Sequence, residues 1–196
     1  MFKNTNVQPL LTNERGSIAI EFALIGLALT FFTAFLVDLV VQQATIGKLD
    51  RVTYSMAGAI RERTQLYRSD EYLNQNQVDT VALLAKKVLQ DMESGADLSK
   101  LSMTIEELHF VEPKLTSGTN DRVVSRYNSF RSGPQTCAPF TTLNNMQDLS
   151  PKGSYGRWVP LYQVTICLPT SSWFTRITSG GDDKTQQKSF AIVVVR

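Results

Sequence analysis

The chain has 196 residues, of which 42% are hydrophobic and 19% charged. That balance excludes a disordered polyelectrolyte and a multispanning membrane protein. Twenty Lys+Arg against eighteen Asp+Glu leave a net charge of +2, which argues against a nucleic-acid partner. One histidine and two cysteines leave little material for a zinc site or a histidine-based catalytic triad.

The apolar content is concentrated in one early run, SIAIEFALIGLALTFFTAFLVDLVV, from Ser17 to Val41. Its only ionisable side chains are Glu21 and Asp38, one near each end. Twenty-five residues of α-helix span about 37 Å, enough to cross a bilayer core with tilt. The alternatives are a buried core helix and a cleaved secretory signal peptide. A signal peptide has a shorter apolar region and ends at a small-x-small site, whereas here Gln42 stands two residues before Ala44. The reading is a retained anchor.

Charge does not orient that anchor. Lys3 and Arg15 precede it, and Lys48, Arg51 and Arg61 follow, which mildly opposes a cytoplasmic N-terminus. The cysteines are more useful. Cys137 and Cys167 lie thirty residues apart in the distal half, with no CxxC spacing and no histidine partner. A disulfide in an oxidising compartment fits them better than a metal site, the alternative being two buried free thiols. Closing such a loop stabilises a domain by about 3–4 kcal/mol. The C-terminal portion is accordingly expected to be extracytoplasmic.

Glu21 requires a reason, because a carboxylate in an apolar helix costs up to about 3 kcal/mol at the bilayer centre. An interfacial position lowers that cost. Its neighbours, Glu14-Arg15-Gly16-Ser17-Ile18-Ala19-Ile20-Glu21-Phe22, give a sharper reading. A short polar leader ends in Gly16, and the glutamate is the fifth residue after it. This resembles the class III signal of type IV prepilins, which implies cleavage by a membrane aspartyl peptidase between Gly16 and Ser17. Cleavage there creates an α-amine on Ser17, one helical turn from Glu21. The two charges can pair with each other or across to a neighbouring subunit.

The helix is expected to continue beyond the membrane to about Arg68. Ile46, Leu49, Thr53, Met56, Ile60 and Tyr67 follow a three-to-four spacing, with Arg63 in the remaining position. A polar connector, Asn74-Gln75-Asn76-Gln77, leads to a second amphipathic helix from about Val78 to Ser94, with Val81, Leu84, Val88 and Met92 on one face and Ala85 and Leu89 beside it. Three strands then follow: Leu101 to Val111, Trp158 to Leu168, and Ala191 to Val195. The intervals 112–156 and 170–188 are rich in Ser, Thr, Asn, Gly and Pro and read as surface loops. The expected fold is α+β, pilin-like: a long transmembrane and stem helix, a second helix and a small antiparallel sheet. Its divisions are a leader over 1–16, a transmembrane helix over 17–41, a helix extension over 42–68 and a head domain over 69–196.

No catalytic constellation survives weighing, and no cofactor or metal is implied. His109 reads as a satisfied or surface histidine rather than a general base. Gly180-Gly181-Asp182-Asp183 reads as a solvated turn rather than a calcium loop. Arg122, Arg126 and Arg131 with Tyr127 and Phe130 imitate a nucleic-acid surface, but read as a polar or partner-facing loop.

The combined pattern resembles the TadE/TadF pseudopilins of the bacterial tight-adherence (Flp-type) pilus system, and is closest to TadF. The resemblance is carried by Arg15-Gly16-Ser17-Ile18-Ala19-Ile20-Glu21-Phe22-Ala23 at the helix start. It continues in Gly47-Lys48-Leu49-Asp50-Arg51 and Arg61-Glu62-Arg63-Thr64-Gln65-Leu66-Tyr67 along the stem, and in the late run Trp158 to Cys167. It implies a minor pilin-like component needed for assembly of an adhesion pilus, held in the inner membrane by one pass with its C-terminal domain periplasmic. The implied partners are a prepilin peptidase, a TadE-like pseudopilin, other pilus assembly components and membrane lipid. The contrasting reading is an unprocessed single-pass envelope protein with a periplasmic binding or regulatory domain.

Overall fold

The computed structural model describes residues 14–62, 72–92, 98–112, 122–153, 156–170 and 185–194. Its elements are helix α1 (Glu14–Arg61), helix α2 (Gln75–Met92), and strands β1 (Ser102–Phe110), β2 (Val124–Ser132), β3 (Leu161–Thr170) and β4 (Thr185–Val194). Short 3-10 helices occupy Leu98–Lys100 and Leu143–Leu149. The chain divides into two compact units, one ending at Gln42 and one beginning at Gln43. The fold is α+β, as the sequence pattern predicts.

In the second unit the four strands form one antiparallel sheet in the order β2-β1-β3-β4. Side chains alternate across a sheet, so the register sorts them into two faces. Met103 and Ile105 of β1, Val164 and Ile166 of β3, and Ala191 of β4 share one face. They pack in one cluster with Leu49, Val52, Met56, Ala57 and Ile60 of α1 and with Val78, Ala85 and Leu89 of α2. This is the main core. The opposite face carries a smaller cluster of Leu108, Phe110, Leu143 and Leu161, with Trp158, Ile192 and Val194 against it. Both faces of β1 are covered, and all nine of its residues are buried.

The sequence places the α1 contacts well: Leu49, Thr53, Met56 and Ile60 are buried, and Ile46 is half-buried. Thr53 hides its hydroxyl by donating to Leu49 O at 2.8 Å. Helix α1 ends at Arg61, and the expected continuation through Arg63, Tyr67 and Arg68 lies outside the described residues. Asn74 to Gln77 are more than a connector. Gln77 N–H donates to Asn74 Oδ1 at 2.9 Å, and Asn74 N–H donates to Gln77 Oε1 at 3.3 Å. That reciprocal pair is a capping box, and it starts α2 three residues before Val78.

The buried face of α2 is centred on the flank of the expected one, with Val81, Val88 and Met92 at its margin. Val78, Ala85 and Leu89 are fully buried, whereas Leu84 is 45% exposed.

A further strand appears where the sequence predicts loop. Strand β2 has the sequence VSRYNSFRS, with no buried residue and no clean alternation. It is an edge strand paired to β1 alone, so its conformation rests on the ladder, on side-chain bonds to β1 and on two half-buried apolar contacts, Val124 and Phe130. Strand β4 likewise starts inside an expected loop, because Thr185 to Ser189 pair with Ile166 to Thr170 of β3.

After β2 the chain reverses at Gly133, whose φ of +111° suits glycine. A Cβ there would stand 2.5 Å from Leu101 O and 2.7 Å from Ser102 Cα, both backbone atoms. Gly133→Ala is therefore expected to lower the stability of the detergent-solubilised chain by about 2–4 kcal/mol. Thermal unfolding followed by circular dichroism measures this, and Gly156→Ala, which meets no atom within 4 Å, serves as the comparison.

Candidate assembly site on the N-terminal helix

The part of α1 with described side chains, Ile18–Arg61, is long and apolar enough to cross a membrane, and none of its most apolar stretch is buried. Phe22, Leu24, Ile25, Leu27, Leu29, Phe31 and Phe32 are all exposed. So much exposed hydrocarbon on one helix needs an apolar surrounding. Thr30 and Thr33 suit that surrounding. Thr30 Oγ1 donates to Leu27 O at 2.8 Å and Gly26 O at 3.0 Å, and Thr33 Oγ1 donates to Thr30 O at 2.9 Å and Leu29 O at 3.0 Å. Both hydroxyls thus have partners within the helix.

Gly16 and Ser17 fall in the first turns of α1, and described side chains begin at Ile18. Ser17 and Glu21 are four residues apart in a continuous helix, hence on one face. Glu21 itself is exposed. At the other end Asp38 is half-buried and accepts from Gln42 Nε2 at 3.1 Å. Asp38 thus meets a polar neighbour one turn toward the end of the apolar run.

In the second unit Cys137 and Cys167 form a disulfide with a Cα–Cα distance of 5.6 Å. Both are buried, and Cys167 sits on β3. The bond fastens the segment after β2 to the sheet face that carries the smaller apolar cluster.

Two adjacent buried glutamates on β1 were not singled out by sequence reasoning. Alternation sends Glu106 to the loop side and Glu107 to the helix side. Glu106 accepts from Leu143 N–H at 2.9 Å and from the Tyr127 hydroxyl. Burial and that donation push the Tyr127 phenol up to about 12. Glu107 accepts from Leu73 N–H and Asn128 Nδ2, each at 2.8 Å, with Arg126 Nε at 3.4 Å and His109 Nε2 at 3.6 Å. Burial pushes the Glu107 carboxyl up, but the facing His109 ring and the Leu73 and Asn128 donors outweigh it. The group is held below the usual carboxylate value of 4.5.

His109 is buried, its ring 4.8 Å from Tyr72 and edge-on to Tyr162 at 5.8 Å. It belongs to this packed cluster. Two of the three arginines that imitate a nucleic-acid surface have partners within the fold. Arg126 stacks over Tyr72 beside Glu107, and Arg122 pairs with Asp148 and lies 4.6 Å from the Trp158 ring centre. Among the described residues no group of three or more His, Cys, Asp or Glu is placed to hold a metal ion, and Asp182 and Asp183 lie outside them.

The family model for TadF, described as "Putative tight adherence pilin protein F", matches residues 9–196. The chain belongs to the TadF family. No curated protein and no solved structure matches it. Membership makes the chain a tight-adherence pilus component, and its N-terminal apolar helix fits a membrane-anchored pilus protein. The family suggests a structural protein rather than an enzyme. In this TadF-family chain the match begins before Gly16, so both the candidate cleavage position and the head fall within it.

The Glu107 cluster yields a pH prediction. A carboxyl whose folded value is lowered adds stability above its unfolded value, and loses it as pH falls through the folded value. Glu107→Gln is expected to destabilise the head by about 1–3 kcal/mol at neutral pH. It is also expected to flatten the loss of stability below about pH 4.5. Urea unfolding between pH 3 and 7, monitored by tryptophan fluorescence, measures both effects.

Proposed function

We propose that this TadF-family chain is a minor, pilin-like subunit that is cut between Gly16 and Ser17 by a prepilin peptidase and then takes part in assembling the tight-adherence pilus. The observation that carries the reading is one exposed apolar helix whose first turns hold Gly16 and Ser17, with Glu21 one turn further on. The division into a leader over 1–16, a transmembrane segment over 17–41, an extension over 42–68 and a head over 69–196 belongs to the same proposal.

The chemistry requires each part. Gly16 offers no side chain beside the scissile bond, so a protease can approach the backbone. The Ser17 amine and the Glu21 carboxylate neutralise each other within one helix or between neighbouring helices, which offsets the desolvation of both in lipid. The head is assigned to the periplasm. The buried Cys137–Cys167 disulfide supports that side, because such bonds persist in oxidising compartments. A TadE-like pseudopilin and other pilus assembly components are the partners that this role requires, and lipid surrounds the anchor.

The mature N-terminus decides the matter. Protein extracted from membranes that contain the peptidase is expected to begin at Ser17, and to retain its leader when the peptidase is deleted. Gly16→Leu is expected to leave the leader in place under both conditions. An intact leader in the wild type with the peptidase present would sink the reading in favour of an unprocessed envelope protein. Mass spectrometry of the terminal peptide makes the measurement.

A second measurement addresses the side of the membrane. The Cys137→Ser/Cys167→Ser double variant is expected to lose about 3–4 kcal/mol of head stability. In intact cells the wild-type bond is expected to form only while the oxidising machinery of the envelope is active, read as a mobility shift on non-reducing gels.

A further inference from the structure

The segment that follows β2 is tied to the sheet almost residue by residue. Gln186 Nε2 donates to Thr136 O at 3.2 Å, and Thr104 Oγ1 donates to Cys137 O. The disulfide fixes Cys137, and Lys188 Nζ donates to Ala138 O at 3.3 Å. Gln163 Nε2 donates to Thr141 O at 3.2 Å, and Leu143 N–H donates to the buried Glu106 carboxylate. Pro139 fixes its own φ.

In the middle of this pinned run Phe140 stands 70% exposed. Phe190 of β4, 42% exposed, lies beside it with ring centres 6.1 Å apart. Lys188 Nζ lies 5.6 Å from the Phe140 ring centre. A free loop would fold such an aromatic inward, since leaving one in water forgoes about 1.5–3 kcal/mol. Here the backbone ties deny that collapse. An aromatic already ordered and already outward loses little entropy when it is covered, which is the property of an interface anchor.

We propose that Phe140 and Phe190 anchor the head to a different protein, one that offers an apolar pocket with a carboxylate on its rim. Lys188 selects that chemistry. Among the described residues it has no carboxylate partner, and it stands at the edge of the aromatic pair. A two-fold contact centred on these rings would bring the Lys188 side chains of both copies together, and that like-charge contact disfavours a homodimer. A carboxylate on a separate partner turns the same lysine into an attractive rim contact.

The test places the photo-crosslinker p-benzoylphenylalanine at position 140 of the full-length chain in its own cells. Leu149, also exposed on this side of the fold, is the control position. The expected result is one adduct with a different protein, mapped by mass spectrometry to an apolar pocket beside an acidic residue. The adduct is expected to fall about tenfold in Phe190→Ser and in Lys188→Glu. Changing the mapped acid to lysine is expected to restore it in Lys188→Glu. Both substitutions are at the surface, and an intact disulfide on non-reducing gels confirms that each variant folds. No adduct, an adduct to a second copy or to lipid, an equal adduct from position 149, or an adduct that these substitutions and the charge swap do not move would each overturn the proposal. The N-terminus of the adduct reports processing at Gly16 separately, so neither result depends on the other.

Discussion

The head is organised around the demand of two buried carboxylates for partners. Glu106 and Glu107 are neighbours on β1, wholly or almost wholly buried, and they point to opposite faces. A buried carboxylate without donors costs several kcal/mol, so each must be met by groups from elsewhere in the chain. Glu107 gathers Leu73, Asn128, Arg126 and His109, which draws the start of α2 and the edge strand toward β1. Glu106 gathers Leu143 and Tyr127, which draws the segment after β2 onto the other face. Burying the pair is not a route to greater stability. It is a route to a single arrangement, since a shift of either covering layer strands a charge.

The loop-facing side of the sheet follows the same logic. Thr104, Glu106 and Gln163 would serve poorly as a hydrophobic face, yet each holds backbone of the covering segment. The disulfide fixes one point of that segment, and the side-chain donors fix its neighbours. Polar groups and the smaller apolar cluster therefore do together on this side what the main core does on the other. The result is a cover with a set path rather than a mobile loop, and a set path is what allows an aromatic to be presented outward.

The membrane unit works by different physics. Past its first turn its helix pairs backbone groups internally, its threonines bond back to the same helix, and its exposed side chains are mostly hydrocarbon. Nothing in that unit needs long-range contacts to define it. The family match spans both this helix and the α+β unit that follows it.

The sequence by itself determined what depends on local pattern. The apolar run, the register of Leu49, Met56 and Ile60, the second helix and strands β1 and β3 were legible because each has its own period or its own uninterrupted run. The candidate cleavage motif at Gly16 to Glu21 was legible for the same reason, being contiguous. Only the tertiary structure decided strand β2, the outward turn of Leu84 and the burial of Glu106, Glu107 and His109. Strand β2 has little burial of its own and exists through its ladder with β1. Alternation along β1 would send half of its side chains to solvent, and the segment from Pro134 to Gly153 covers them instead. A polar residue's burial depends on what arrives over it from thirty residues away, and no local pattern records that arrival.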